Sequence, residues 1–176
     1  MTKKPKHMLV ELPTADEIDA LAITTPTFEV RKYEYDMRKS KADLKYAPCK
    51  GQVVVVMIGA KGLVLCKAMG EETWTLPSGR IGACEDPVAA AKRVAREATG
   101  LGIRSLELAC MYDVTWHFSD VSIKRLHVVY AAQTDEDSNE GAIASGTAEA
   151  RFFKDLTGVR IANDLVRDAI LDCSEK

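Results

Sequence analysis

"LPSGRIGACEDPVAAAKRVAREATGL", residues 76–101, decides how this chain is read. Asp86 followed by Pro87 marks a helix start: the carboxylate can accept from an orphan N–H, and proline suits the first helical position. Gly100 supplies the stop. Placed at 100° per residue, Val88, Ala91, Val94, Ala95 and Ala98 fall on one side, and Lys92, Arg93, Arg96 and Glu97 on the other. Glu97 lies at the border, four residues after Arg93, where the two can pair. Taken alone, this pattern describes an amphipathic helix packed on a sheet.

The flanks supply the sheet. "QVVVVMI" from residue 52 reads as a buried strand, "GAKG" as a turn and "LVLCKA" as the returning strand of a hairpin. "SLELACMYDVTW", the turn "HFSD" and "VSIKRLHVVYAAQ" add two more strands, and "ARFF" a short one. "TDEDSNEGAIASGTAEA" is a long acidic loop. At the end, Ala162, Leu165, Val166, Ala169 and Ile170 mark one face of a closing helix. Few helices among more strands predict an α/β (α+β) chain: a mixed β-sheet between helices.

Residues 1–50 read as an N-terminal extension to a domain at 51–176. Thr14 and Glu17 form a capping box for a short helix. "TFEVRKYEYDM" alternates through Phe28 and Val30, slips a step, and resumes at Tyr33, Tyr35 and Met37, which predicts a bulged strand or two short ones. "RKSKADLK" reads as a solvated connector.

The 176 residues suffice for one cored domain, and a net charge of −2 gives no pull toward nucleic acid or an anionic membrane. The longest apolar run, "VVVVMI" at 53–58, is of strand length and not of membrane-spanning length. The N-terminus lacks the long apolar region of a signal peptide. Five cysteines without a CxxC fit reduced thiols in a cytoplasm, and the three histidines have no partner at zinc-ligand spacing. His127, inside "RLHVVYAA", reads as a strand histidine and His117 as turn-exposed.

The spacing of the quoted stretch resembles the box of the Nudix family: Gly, five residues, Glu, seven residues, then Arg-Glu-apolar-any-Glu-Glu-any-Gly-apolar. Gly79, Glu85, Arg93, Ala95, Glu97, Gly100 and Leu101 fill seven of its nine fixed positions. "WTLPSGRI" is similar to the family's loop before the box, with Ser78 where glycine is common, and "EARFF" to its strand after the long loop. The likeness runs over residues 51–173 and implies the family's α/β/α sandwich.

The two departures are Val94 and Ala98. In the family, glutamates at the positions of Val94, Glu97 and Ala98 bind Mg²⁺ or Mn²⁺, and residues at i, i+3 and i+4 share a helix face on which carboxylates can converge on a hard cation. The resemblance therefore implies Glu97 as the remaining metal ligand and catalytic carboxylate. Glu85 is a second candidate for both roles, although in the family the residue there also pairs with the box arginine, here Arg93. The acidic loop offers Asp135, Glu136, Asp137, Glu140 and Glu149 as further ligands, or simply a solvated segment. Arg80 could meet a phosphate or serve as a surface arginine. Trp74, Tyr112, Trp116 and Phe118 could stack on a base or pack in the core or at its rim. Gly79, Arg93 and Gly100 frame the box.

Two functions stay open on these residues. One is a metal-dependent Nudix hydrolase, with weakened activity, splitting a nucleoside diphosphate linked to another moiety, of the ADP-ribose type. The other is a Nudix-fold module that has lost hydrolysis and binds a nucleotide or a partner in the same groove. Either implies a nucleotide-derived small molecule as partner, with neither membrane nor nucleic acid. "TFEVRKYEY" is similar to the extra strands by which some nucleoside-diphosphate-sugar hydrolases of the family form homodimers, though such a strand can equally cover an edge in its own chain.

Overall fold

A computed structural model describes residues 7–11, 30–37, 49–136 and 147–174. Eight strands among them share one sheet: β1 (His7–Glu11), β2 (Val30–Asp36), β3 (Gln52–Gly59), β4 (Gly62–Ala68), β5 (Ser78–Arg80), β6 (Ser105–His117), β7 (Val121–Gln133) and β8 (Thr147–Phe153). The order is β2-β6-β7-β3-β4-β8, with β1 paired to β7 and β5 to β3. β3 runs parallel to β7 and antiparallel to β4, while β6 and β7 are antiparallel, so the sheet is mixed as expected.

Two helices cover its two faces: α1 (Pro87–Thr99) and α2 (Asp164–Ser174). β3 serves both because strand side chains alternate. Val53, Val55 and Met57 face α1 with Ala90, Ala91, Val94 and Ala95. Val54 and Val56 face α2 with Leu165, Val166, Ala169 and Ile170. Each fully buried valine contributes about 1.5–3 kcal/mol, so the valine run holds both layers.

α1 is bounded as its sequence demands. Asp86 accepts from Ala89 N–H at 2.9 Å. Gly100 ends the helix with φ 74, a left-handed conformation that glycine takes without penalty, and its N–H donates to the Arg96 carbonyl at 2.9 Å.

The sequence reading missed two strands. β5 lies within "WTLPSGRI", read from sequence as a loop, where three residues pair antiparallel with Gln52–Val54. β1 lies in the basic N-terminus and pairs with β7. β2 runs in one register against β6 from Val30 to Asp36, without the slip the alternation suggested, because Val30 is an exposed residue off the Tyr33 face. The bulge falls instead on β6, between Leu108 and Cys110. Tyr33 donates to Asp168 at 2.6 Å and Arg31 pairs with Asp172 at 3.0 Å, so β2 is tied to α2 of its own chain. Among the described residues β2 thereby covers β6 and is the outer strand on that side. His117 is not a turn residue: it closes β6, half-buried, with Nδ1 2.8 Å from the Ser122 hydroxyl. The expected helix at Thr14 and the connector at 38–45 lie outside the described residues.

Candidate functional site

On the α1 side, Glu85, Arg93 and Glu97 form one cluster. Arg93 donates through Nε and Nη2 to both Glu85 oxygens, at 2.8 and 2.9 Å. Its Nη2 also donates to the Arg80 carbonyl at 2.8 Å, and its Nη1 to Glu97 Oε2 at 3.0 Å. Gly82 N–H donates to Glu85 Oε1 at 3.1 Å. Hydrogen bonds from Arg93 hold the Glu85 carboxyl below its ordinary pKa, and Glu85 in turn raises that of Arg93. This fork clamps the loop before the helix onto the helix. It takes up both oxygens of Glu85, leaving Glu97 as the exposed carboxylate of the box.

Val94 occupies the space a ligand would need. It is 3% exposed, and a Cβ placed on Gly79 would meet its Cγ2 at 2.7 Å. Gly79 and Val94 thus interlock β5 with α1. Ala98, half-buried, offers no oxygen. Among the described residues no three His, Cys, Asp or Glu side chains converge as metal ligands. Mg²⁺ takes six oxygens, and where phosphate is the substrate one or two protein carboxylates suffice, with water and phosphate oxygens completing the shell; of the box positions only Glu97 offers an uncommitted carboxylate oxygen. The residues at the positions of Val94, Ala98 and Glu85 do not fit Mg²⁺ or Mn²⁺.

The other expected ligands lie elsewhere. Glu149 pairs with Lys67 at 3.5 Å and with Arg151, and both cations sit over the Trp74 ring, at 4.9 and 5.7 Å. Trp74 packs edge-on to Phe153 with the α2-side core, so Glu149 and Trp74 are held on the face opposite α1. Asp135 pairs with Arg104 at 3.2 Å, and Glu136 reaches α1 through Arg96 at 3.8 Å. Asp137 and Glu140 lie outside the described residues. Arg80 lines an open cleft of about 630 Å³ with Gly82, Cys84, Glu85, Arg93 and Cys49. Tyr112 is buried and donates to Asp172 at 2.6 Å, and Phe118 is buried at the β6–β7 turn.

Trp116 has a different setting. With Tyr35, Gln52, Thr75, Ser78, His127 and Asn163 it lines a cavity of about 140 Å³ between the sheet and α2. Both ring nitrogens of His127 are buried there without a hydrogen-bond partner among the described residues, and the Tyr35 hydroxyl lies against the Leu165 backbone N–H. Buried polar atoms are nearly always satisfied, so the His127 ring is the exception at this cavity. Burial, and then Arg125, lower the His127 pKa to about 3, so the ring is neutral at pH 7. Trp116 lies 5.5 Å from that ring, with Arg125 over it at 5.1 Å. Sequence reasoning singled out Trp116 as a stacking candidate but not Tyr35, Gln52, His127 or Asn163, which the structure places around the same cavity. The available signal was polar residues at inward positions of apolar strands. β5 separates the two regions: Ser78 borders the cavity, Gly79 touches Val94, and Arg80 lines the cleft.

The family model for the NUDIX domain matches residues 50–156. The chain belongs to the Nudix family. Nudix proteins are generally pyrophosphohydrolases, and this chain has their α/β/α sandwich. Similar folds occur in a Nudix hydrolase from Nitrosomonas europaea (17% identity, 70% of this chain and 87% of that one, TM-score 0.58). The Nudix domain of NrtR from Shewanella oneidensis, complexed with ADP ribose, is also similar (18%, 76% and 90%, 0.58). So is an ADP-ribose pyrophosphatase from Streptococcus suis (14%, 70% and 88%, 0.54). No curated protein matches the chain. No helix among the described residues of this Nudix chain is long and apolar enough to cross a membrane.

Proposed function

We propose that this Nudix chain is a cytoplasmic binding module for a nucleoside-diphosphate derivative, and that metal-dependent hydrolysis has been lost from its box. The observation that carries this reading is Val94, buried against Gly79 where the family places a metal-binding glutamate. Ala98 adds to it, because it supplies no oxygen, and the Arg93 fork on Glu85 leaves Glu97 as the one uncommitted carboxylate of the box. The α2-side cavity supports the binding half. Pockets for drug-sized ligands run to roughly 300–1,000 Å³. At about 140 Å³ this cavity suits one planar moiety. The aromatic wall of Trp116 and the unsatisfied ring nitrogens of His127 are what a heterocyclic base requires.

The hydrolase reading retains one observation: Glu97 is half-exposed, and Arg93 binds it through a single oxygen. Turnover separates the two. The protein is incubated with Mg²⁺ or Mn²⁺ and ADP-ribose, dinucleotides or nucleoside triphosphates, and phosphate products are followed. The module reading predicts no product from wild type or Glu97→Gln. Turnover by wild type that Glu97→Gln abolishes would establish the hydrolase instead.

A further inference from the structure

The outer wall of the α2-side cavity is made by two elements that hold each other. Leu165 and Val166 line it from the first turn of α2, and Tyr35 lines it from β2. Strand alternation sets Arg31, Tyr33 and Tyr35 on one face of β2, and all three reach α2. Arg31 pairs with Asp172 at 3.0 Å and with Asp168 at 3.9 Å. Tyr33 donates to Asp168 at 2.6 Å, and the Tyr35 hydroxyl lies against the Leu165 N–H, one of the orphan donors of the helix start. Little else holds this strand. Among the described residues β2 pairs with β6 alone, and none of its seven residues is fully buried: Tyr33 and Tyr35 are half-buried and the other five exposed. Elements with few buried apolar contacts open at the low end of a fold's local stabilities, the end from which binding-site covers are drawn. Trp116 and His127, by contrast, stand on β6 and β7 in the middle of the sheet. Opening of β2 would take Tyr35 off the cavity and leave those two in place.

Resting on the nucleotide-binding reading above, we propose that β2 is a strap over this cavity, fastened by the ligand: nucleotide binding and docking of β2 on α2 stabilise each other through Tyr35. A ligand that needs the Tyr35 wall binds the docked form alone, so it makes opening of β2 rarer. Linkage is reciprocal, so loosening β2 weakens the ligand. Arg31, Tyr33, Asp168 and Asp172 are not among the lining residues, and they therefore tune affinity from outside the cavity.

The test joins calorimetry and amide hydrogen exchange on the full chain in EDTA, with GMP, AMP and ADP-ribose as probes and the tightest binder carried into the exchange. At a nucleotide concentration about 100 times Kd, any opening that abolishes binding becomes about 100-fold rarer. Exchange of the amides of residues 31–37 slows by up to that factor, while β8, at the opposite edge of the sheet, exchanges as in the free chain. Tyr33→Phe combined with Arg31→Ala removes two ties outside the cavity. Exchange at residues 31–37 then quickens, and the nucleotide binds at least about threefold more weakly, as the docked fraction falls. Tyr35→Ala removes the wall itself, and the nucleotide no longer slows β2. The wild-type exchange needs no variant, so it decides the matter even where a variant fails to fold. A nucleotide that binds wild type yet leaves exchange at residues 31–37 unchanged would overturn the strap while leaving the binding reading intact. So would a folded double variant that binds as tightly as wild type. Absence of binding by every nucleotide would overturn both.

Discussion

Replacing Gly79 by alanine puts a methyl group where Val94 already is. The added Cβ would stand 2.7 Å from Val94 Cγ2, closer than carbons approach without displacement, while Cγ1 at 3.7 Å is an ordinary contact. Val94 cannot easily turn away, because a β-branched residue in a helix has one strongly preferred rotamer and this one is buried. Overpacking of this kind costs about 1–3 kcal/mol. Val94→Ala removes two methyl carbons, at about 0.8 kcal/mol each with a cavity term added, for a loss of about 1.5–3 kcal/mol. In the double variant the clash disappears, so the loss falls short of the sum by about 1 kcal/mol or more. Urea unfolding followed by tryptophan fluorescence reads all four proteins, and thermal melts shift by about 2–4 °C per kcal/mol for a chain of this size. Losses that add to within about 0.5 kcal/mol would refute the interlock. The argument that the box helix has no room for a ligand at this position would fall with it.

Glu85→Gln loses one arm of the Arg93 fork and costs about 1 kcal/mol, a low figure because the guanidinium is partly solvated. The Glu85 pKa is lowered in the fold, so its stabilisation is complete above the ordinary glutamate pKa of about 4.3 and is lost as pH falls. The variant therefore shows a shallower acid loss than wild type in urea midpoints taken from pH 6 to pH 3, and parallel curves would contradict the fork. His127 gives a second pH signature. Its pKa drops from about 6.5 in the unfolded chain to about 3 in the fold, so the unfolded state binds the extra proton between those values. Stability falls as pH is lowered through that window. His127→Asn removes this part of the slope, and an unchanged slope would mean that the ring is solvated.

The legible parts of this fold were those where local chemistry and packing agree. Asp86, Pro87 and Gly100 bound α1 by hydrogen bonds within a few residues, so the sequence states them directly. The β3–β4 hairpin follows from a valine run and a glycine turn. β5 was not legible, because three residues of mixed polarity become a strand only when β3 lies beside them. The box frame was visible from spacing, whereas the burial of Val94 against Gly79 depends on two elements meeting. The cavity was the hardest to see. Tyr35, Gln52, Trp116, His127 and Asn163 come from five different segments, four strands and a helix cap, and each alone reads as an ordinary strand or cap residue.

The central claim is that recognition resides in the α2-side cavity and needs neither the box carboxylate nor a metal. A titration of GMP into wild type, Trp116→Ala and Glu97→Gln, each with EDTA and again with Mn²⁺, tests it most directly. The account predicts binding of equal strength with and without metal, weakened at least about tenfold by Trp116→Ala, in line with stacking worth about 1–3 kcal/mol per base, and unchanged by Glu97→Gln. Binding that appears only with Mn²⁺ and disappears in Glu97→Gln would contradict it.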